Sequence, residues 1–280
     1  MIRKMARAAN PEIVVVLDYP VTPRQRWTLD KPHPILYNIL NEGRETYKDV
    51  LESFLSIEKS LTSVDKSPTG SESDKQPYWA NEWIPPLDAA SLYSFIATRR
   101  PKTYMEVGSG NSTKFARKAI EDLGLDTKII SIDPEPRAEI DDLCDQIIRK
   151  PIEDVDLPIF EILGEDDILF VDSSHRSFMN SDVTALFIDV LPRLRSGVLV
   201  QIHDILLPYD YPSDWAGRWY SEQYLLAALL LARGRAFETI LPNMFISHDE
   251  ELRSILAPLW KRTKMEINEI FGYSFWLKTL

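Results

Sequence analysis

The sequence predicts an α/β protein: a doubly wound, mostly parallel, seven-stranded sheet with helices on both faces. Three observations predict it. From about residue 78, strand-like and helix-like segments alternate through five units. Several strand segments are continuous apolar runs, as expected where helices cover both faces of a sheet. Glycines, acids and histidines stand at the ends of those runs, where ligands bind in open α/β sheets.

Asp88 to Arg99, carrying Leu92, Tyr93, Phe95 and Ile96, reads as a helix before the first strand, Tyr104–Val107. A helix over Thr113–Leu123 leads to a second strand, Lys128–Asp133. Ala138–Asp145 reads as a helix and Gln146–Arg149 as a third strand. The fourth strand is Ile168–Asp172, and a helix from Ser181 to Leu194 leads to the fifth, Gly197–Asp204. Ser221–Ala232 is helical, Ala236–Ile246 strand-like, and Tyr273–Leu277 a last aromatic strand.

Residues 1–77 read as an N-terminal appendage and linker, and 78–280 as the main domain. Within the appendage Ile13–Leu17 has strand character, and prolines at 20, 23, 32 and 34 break regular structure. Leu36, Leu40, Tyr47, Leu51, Phe54 and Leu61 then recur at near-helical spacing. The polar stretch 62–76 reads as the linker.

At 280 residues with 44% hydrophobic side chains, the chain has enough apolar surface for a sizeable core. With 43 acids against 32 bases, the net charge of -11 argues against broad binding of nucleic-acid backbones. The single cysteine, Cys144, excludes an internal disulfide framework and a cysteine-based zinc cluster. The apolar runs at 13–17 and 224–232 are too short for a signal peptide or a membrane span, so a soluble, cytoplasmic protein is expected.

Gly108-Ser109-Gly110 follows the first strand and opens a helix, and Asp133 closes the next strand. Glycines let a backbone approach a ligand closely. An acid at the second strand's end can accept both hydroxyls of a ribose, a geometry that suits any adenosine cofactor, NAD(P) included. The third glycine of the dinucleotide fingerprint is Thr113 here, and Glu106, two residues before the turn, suits a cationic ligand group better than a pyrophosphate.

The run Glu106-Val107-Gly108-Ser109-Gly110-Asn111-Ser112-Thr113, followed by Ile130-Ser131-Ile132-Asp133-Pro134, resembles class I S-adenosylmethionine-dependent methyltransferases over about residues 78–280. The likeness is to the group whose fourth strand ends in Val-Asp-x-x-His and whose fifth ends in His-Asp. It implies a Rossmann-like fold ending in an antiparallel strand. It also implies that Glu106, Gly108, Ser109 and Gly110 cradle the methionine part of S-adenosylmethionine, that Asp133, with Pro134 beside it, binds the ribose, and that Glu153 in the segment 151–154 frames adenine.

Asp172 ends the fourth strand, with His175 three residues on, and His203-Asp204 ends the fifth. Asp172, His203 and Asp204 can hold a divalent cation such as Mg²⁺ if water and substrate complete the shell, and His175 can take a proton as general base. The placement resembles that of catechol-type O-methyltransferases, whose metal ligands and base occupy these positions. In that family the base is commonly lysine and the fifth-strand pair Asp-Asn. Asp172 also reads as a backbone-bonding acid near the cofactor, and Asp204 as a turn cap.

Tyr209, Tyr211, Trp215, Trp219 and Tyr220 follow the fifth strand and read either as a lid over the mouth or as core packing. Trp79 and Trp83 are expected to close the same pocket. The expected activity is methyl transfer to an oxygen of a small-molecule acceptor, with no nucleic-acid or membrane partner. The alternatives are an NAD(P)-dependent oxidoreductase and a cofactor-binding module without turnover. The appendage is expected either to cover the pocket or to form a homodimer contact.

Overall fold

In the computed structural model, residues 18–68, 75–136, 139–234 and 236–280 are described. The expected strand at 13–17 lies outside them.

Helix α1 (Pro34–Glu42) starts on the side chain of His33, whose Nδ1 accepts the Leu36 N–H, and α2 (Arg44–Leu55) and α3 (Glu58–Leu61) follow. Helix α4 (Pro86–Arg99) precedes β1 (Thr103–Val107), and α5 (Asn111–Asp122) precedes β2 (Lys128–Ile132). Then come β3 (Gln146–Ile148), β4 (Ile168–Val171), α6 (Asp182–Thr184) and β5 (Leu199–Ile202). The chain closes with α7 (Glu222–Leu231), β6 (Phe237–Pro242), α8 (Asn243–Ser247), α9 (Glu250–Ile255), α10 (Ala257–Thr263) and β7 (Phe275–Thr279).

The strands form one seven-stranded sheet in the order β3-β2-β1-β4-β5-β7-β6. The first five are mutually parallel; β7 runs antiparallel to β5, and β6 antiparallel to β7. The α/β expectation is met, including the antiparallel last strand. Every residue of β4 and β5 is buried, which accounts for the apolar run of β4 and for a β5 whose one polar residue, Gln201, accepts from the Val171 N–H and donates to Ser274 Oγ. The order reverses between β1 and β4, so a crevice opens above the C-terminal ends of those two strands.

The helices before residue 62 share this core: Leu36, Leu40, Tyr47, Leu51, Phe54 and Leu61 are buried in the same cluster as β1, β4 and β5. Arg44 anchors the outside of this contact on Asp249 and Glu251.

Several element boundaries differ from expectation, each for a local reason. In place of a helix over 138–145 there is a single 3₁₀ turn, Asp141–Leu143. Its last carbonyl is taken by the Arg117 guanidinium, and the chain goes straight on into edge strand β3. The helix expected at 181–194 is one α-turn, a π-helical stretch (Ala185–Val190) and a 3₁₀ turn (Leu191–Arg193). Pro192 in that last turn has no N–H to continue an α-ladder. The strand expected at 236–246 stops at Pro242, because the Asn243 N–H turns to the Ser274 carbonyl and starts α8. The last strand is shifted to Phe275–Thr279, since the N–H groups of Tyr273 and Ser274 both donate to Asp88.

Candidate active site

Two groups of residues meet at the β1–β4 switch. The first is the turn after β1. Gly108 has φ +80°, and a Cβ there would lie 1.8 Å from the Asp172 carbonyl oxygen, so only glycine lets the β1 and β4 loops touch. A Cβ on Gly110 would meet nothing within 4 Å, so the turn opens onto free space. Asp133 faces this turn: its Oδ2 accepts the Ser109 N–H at 2.8 Å and its Oδ1 the Glu135 N–H at 2.8 Å. Each carboxylate oxygen keeps a lone pair for a further donor. Ser109 Oγ lies 2.8 Å from Ser131 Oγ on β2, and the Arg149 guanidinium donates to the Asp133 carbonyl beside Pro134.

Glu106 sits beneath the turn rather than on it. It is fully buried, accepting from Tyr104 OH at 2.9 Å and from Thr113 Oγ1, and Thr113 Oγ1 also accepts the Gly110 N–H. Burial pushes its carboxyl up to about 7, against the hydrogen bonds of Ser112, Thr113, Tyr104 and Ser109, which favour the anion. Glu106 thus holds the glycine turn from behind. Glu153 lies on the 3₁₀ turn Ile152–Asp154 after β3, with its Oε2 buried and without a hydrogen-bond partner.

The second group is an ionic network at the ends of β4 and β5. His175 Nε2 lies 3.1 Å from Asp172 Oδ1 and 3.5 Å from Asp204 Oδ2, while its Nδ1 lies 2.9 Å from Glu222 Oε2. His203 Nδ1 lies 3.5 Å from both Asp172 Oδ1 and Asp204 Oδ1, and its Nε2 lies 3.2 Å from Asp88 Oδ2. Each imidazole therefore stands between an outer, fully buried carboxylate and the inner pair Asp172/Asp204. Sequence reading missed Asp88 and Glu222. They lie on helices α4 and α7, far from either strand end in sequence, and no local motif marks them.

Burial works against charge on both imidazoles, but the surrounding carboxylates outweigh it and raise both well above the usual histidine range. Burial would likewise raise Asp172, yet His203 and His175 hold it well below the carboxylate range. Asp204 and Glu222 go the other way, raised by burial despite the histidines. The Asp172 side chain is 37% exposed, whereas those of His175, His203 and Asp204 are 5%, 4% and 12% exposed. Asp172 is thus the member that meets the crevice. His175 and Asp204 both adopt left-handed backbone (φ +60° and +53°), a conformation that costs non-glycine residues energy and clusters at functional sites.

The expected metal set of Asp172, His203 and Asp204 comes together, but not as a ligand shell. Among the described residues, no group of three or more His, Cys, Asp or Glu side chains is arranged to hold a metal ion. His203 Nδ1 and Nε2 lie 3.2–3.5 Å from the carboxylates of Asp172, Asp204 and Asp88, and Nε2 is buried without a hydrogen-bond partner.

The aromatic loop divides in two. Tyr209 and Tyr211 are buried with Leu206 and Met244 and belong to a small second core. Trp215 and Tyr220 are half-buried at its edge, and Trp219 is 46% exposed. Tyr220 packs on the His175 ring with centroids 4.6 Å apart. Trp79 does not close the mouth: it is fully buried against Phe115 and Trp260, while Trp83 is 57% exposed. A cavity of about 200 Å³ between Trp27, His33, Leu207–Asp210 and α7 shares no lining residue with the network.

Residues 105–205 match the family model described as a methyltransferase domain, a span that runs from β1 to just past β5 and holds both groups except Asp88 and Glu222. No curated protein matches the chain. Among solved structures, the SAH-bound Podospora anserina methyltransferase PaMTH1 is similar at 13% identity and TM-score 0.44, covering 81% of this chain and 88% of that one. The plantazolicin methyltransferase BpumL in complex with SAH is similar at 11% identity and TM-score 0.42, covering 82% of this chain and 99% of that one.

Proposed function

We propose that the crevice of this chain, whose residues 105–205 match a family model described as a methyltransferase domain, binds S-adenosylmethionine and transfers its methyl group to an oxygen of a small-molecule acceptor. The observation that carries this reading is the open turn at Gly110, facing Asp133 on one side and touching the Asp172 loop on the other.

The residues present fit the cofactor. The space at Gly110 leaves the turn's backbone accessible, Asp133 has free lone pairs for two ribose hydroxyls, and the unpartnered Glu153 Oε2 is an acceptor for an exocyclic amine. The four carboxylates around two histidines make an acid-rich floor suited to a cationic sulfonium. The bound cofactor supplies an electrophilic methyl group, so the protein has chiefly to align the acceptor and remove its proton.

Asp172 is placed for that proton. Its exposed carboxylate accepts the hydrogen bond of the acceptor hydroxyl, and His175 and His203 hold it in position from behind. As the O–C bond forms, the hydroxyl proton leaves along its hydrogen bond to Asp172 and on to water, since Asp172 itself is held low by the histidines, and the electron pair of the breaking C–S bond stays on sulfur. In this reading His175 does not begin as the base, because its carboxylate neighbours keep it protonated. No step is routed through Mg²⁺ or another divalent cation, since among the described residues no group of His, Cys, Asp or Glu side chains is arranged to hold one. Helices α1 to α3 brace the sheet through Leu36, Leu40, Tyr47, Leu51, Phe54 and Leu61.

Isothermal titration with S-adenosylhomocysteine tests the first step: saturable binding at micromolar ligand is expected, and none at millimolar ligand removes the reading. Transfer is then tested with labelled S-adenosylmethionine and a panel of hydroxyl compounds.

A further inference from the structure

We propose that the outer rim of the crevice is an anion subsite, so that the methyl acceptor is a hydroxylated organic anion with a planar or apolar body, held by Arg176 and Arg218. This rests on the methyl-transfer reading and adds the chemical class of the acceptor to it.

The rim consists of two loops, 174–180 after β4 and 213–221 before α7. Their backbones are tied together. Ser221 N–H and Glu222 N–H donate to the His175 carbonyl, Ser177 N–H donates to Ser221 Oγ, and Arg176 Nε donates to the Arg218 carbonyl at 2.8 Å. Arg176 Nη1 also donates to the Ser174 carbonyl at 3.0 Å, which fixes the guanidinium in place. Its Cζ lies 5.3 Å from the Tyr220 ring centre. Arg218 stacks on Trp215 at 4.1 Å and approaches Tyr220 at 5.6 Å. Tyr220 is thus the common neighbour of both cations and of His175.

Surface cations on a chain of net charge -11 have acids to pair with. Yet the contacts of these two guanidiniums are with backbone carbonyls and aromatic rings, and among the described residues neither forms an ion pair with a carboxylate. A guanidinium held flat by a ring, with donors left over, is suited to forked binding of a carboxylate or phosphate. Exposed Phe178, Met179 and Trp219 stand on the same two loops and provide apolar surface beside the charges. Polarity therefore changes sign across the mouth: acids at the floor suit the cationic donor, and cations at the rim suit an anionic acceptor. A hydroxy acid lying across Tyr220 would place its hydroxyl inward toward Asp172 and its anion outward.

The test uses the full-length protein saturated with S-adenosylhomocysteine, with 4-hydroxybenzoate and its neutral amide, 4-hydroxybenzamide, as probes followed by ligand-observed NMR at neutral pH. The acid is expected to bind about tenfold more tightly than the amide, and the double variant Arg176→Gln/Arg218→Gln to lose that preference while keeping its S-adenosylhomocysteine affinity. Arg218→Gln alone, at an exposed side chain, should lose part of the preference and guards against misfolding of the double variant. Equal binding of the two probes, binding of neither, or a preference unchanged in the variants overturns the anion subsite. Failure of the wild type to bind S-adenosylhomocysteine at all overturns the methyl-transfer reading instead. Replacing the benzoate by 4-hydroxyphenyl phosphate separates a carboxylate from a phosphate preference.

Discussion

The two halves of the crevice are built in opposite ways. The β1–β2 side is made of backbone and small residues: two glycines, two serines, and one carboxylate clamped by N–H donors. The β4–β5 side is made of charged side chains from four separate stretches of chain, packed ring nitrogen against carboxylate. The first side, in the proposed reading, offers shape and free space to the cofactor, and the buried acid Glu106 lies beneath it. The second, in the same reading, works by charge, and its Asp172 side chain is 37% exposed. A change on the first side should therefore cost cofactor affinity, and a change on the second should cost turnover.

The sharpest way to break this division is Gly108→Ala. A methyl group placed 1.8 Å from the Asp172 carbonyl, at φ +80°, forces the two loops apart. Cofactor binding should weaken more than about 100-fold and stability fall by about 2–4 kcal/mol, measured by titration with S-adenosylhomocysteine and by thermal unfolding. Asp172→Asn should instead lower kcat by about 10²–10³ while S-adenosylhomocysteine affinity stays within a few-fold; a matching loss of affinity would erase the distinction between the sides. Asp133→Ala should weaken S-adenosylhomocysteine about 10–100-fold with kcat at saturation little changed.

A smaller effect concerns the acid beneath the turn. Glu106 has its pKa raised to about 7 in the folded protein, above the ordinary 4.5. The folded state holds that proton more tightly than the unfolded chain does. Its contribution is therefore full below pH 4.5 and is lost as pH rises through about 7. Between those limits wild type should lose up to about 3 kcal/mol relative to Glu106→Gln, read from denaturant unfolding at a series of pH values. The smallest expected effect is that of EDTA: initial rates should not change, and a chelator-sensitive rate restored by Mg²⁺ would return the β4–β5 side to a metal role.

The cofactor side was legible in the sequence because its parts are local. The spacing from Glu106 through Gly110 to Asp133 is set by one strand, one turn, one helix and the next strand, and β1 and β2 pair in that register. The ends of β4 and β5 were legible for the same reason. Asp88 and Glu222 were not, because a buried acid in the first turn of a helix looks like any helix-start acid until its partner is known. Trp79 was misplaced on the same ground: its neighbours in space are Phe115 and Trp260, which sequence order does not bring near. Boundaries failed where a proline or a side-chain acceptor took over a backbone partner, as at Pro192 and Asp88.

The Asp88 carboxylate accepts from Asn243, Tyr273 and Ser274, stands 3.2 Å from His203, and lies where a Cβ on Gly272 would intrude at 2.3 Å. One anion therefore fastens the start of the final strand to the helix that opens the domain and, with the same two oxygens, steadies a ring of the reaction centre. Wear at the carboxyl-terminal seam would be felt at the imidazole before the sheet came apart. Truncating the last strand should accordingly abolish the proposed transfer at temperatures where most of the secondary structure survives.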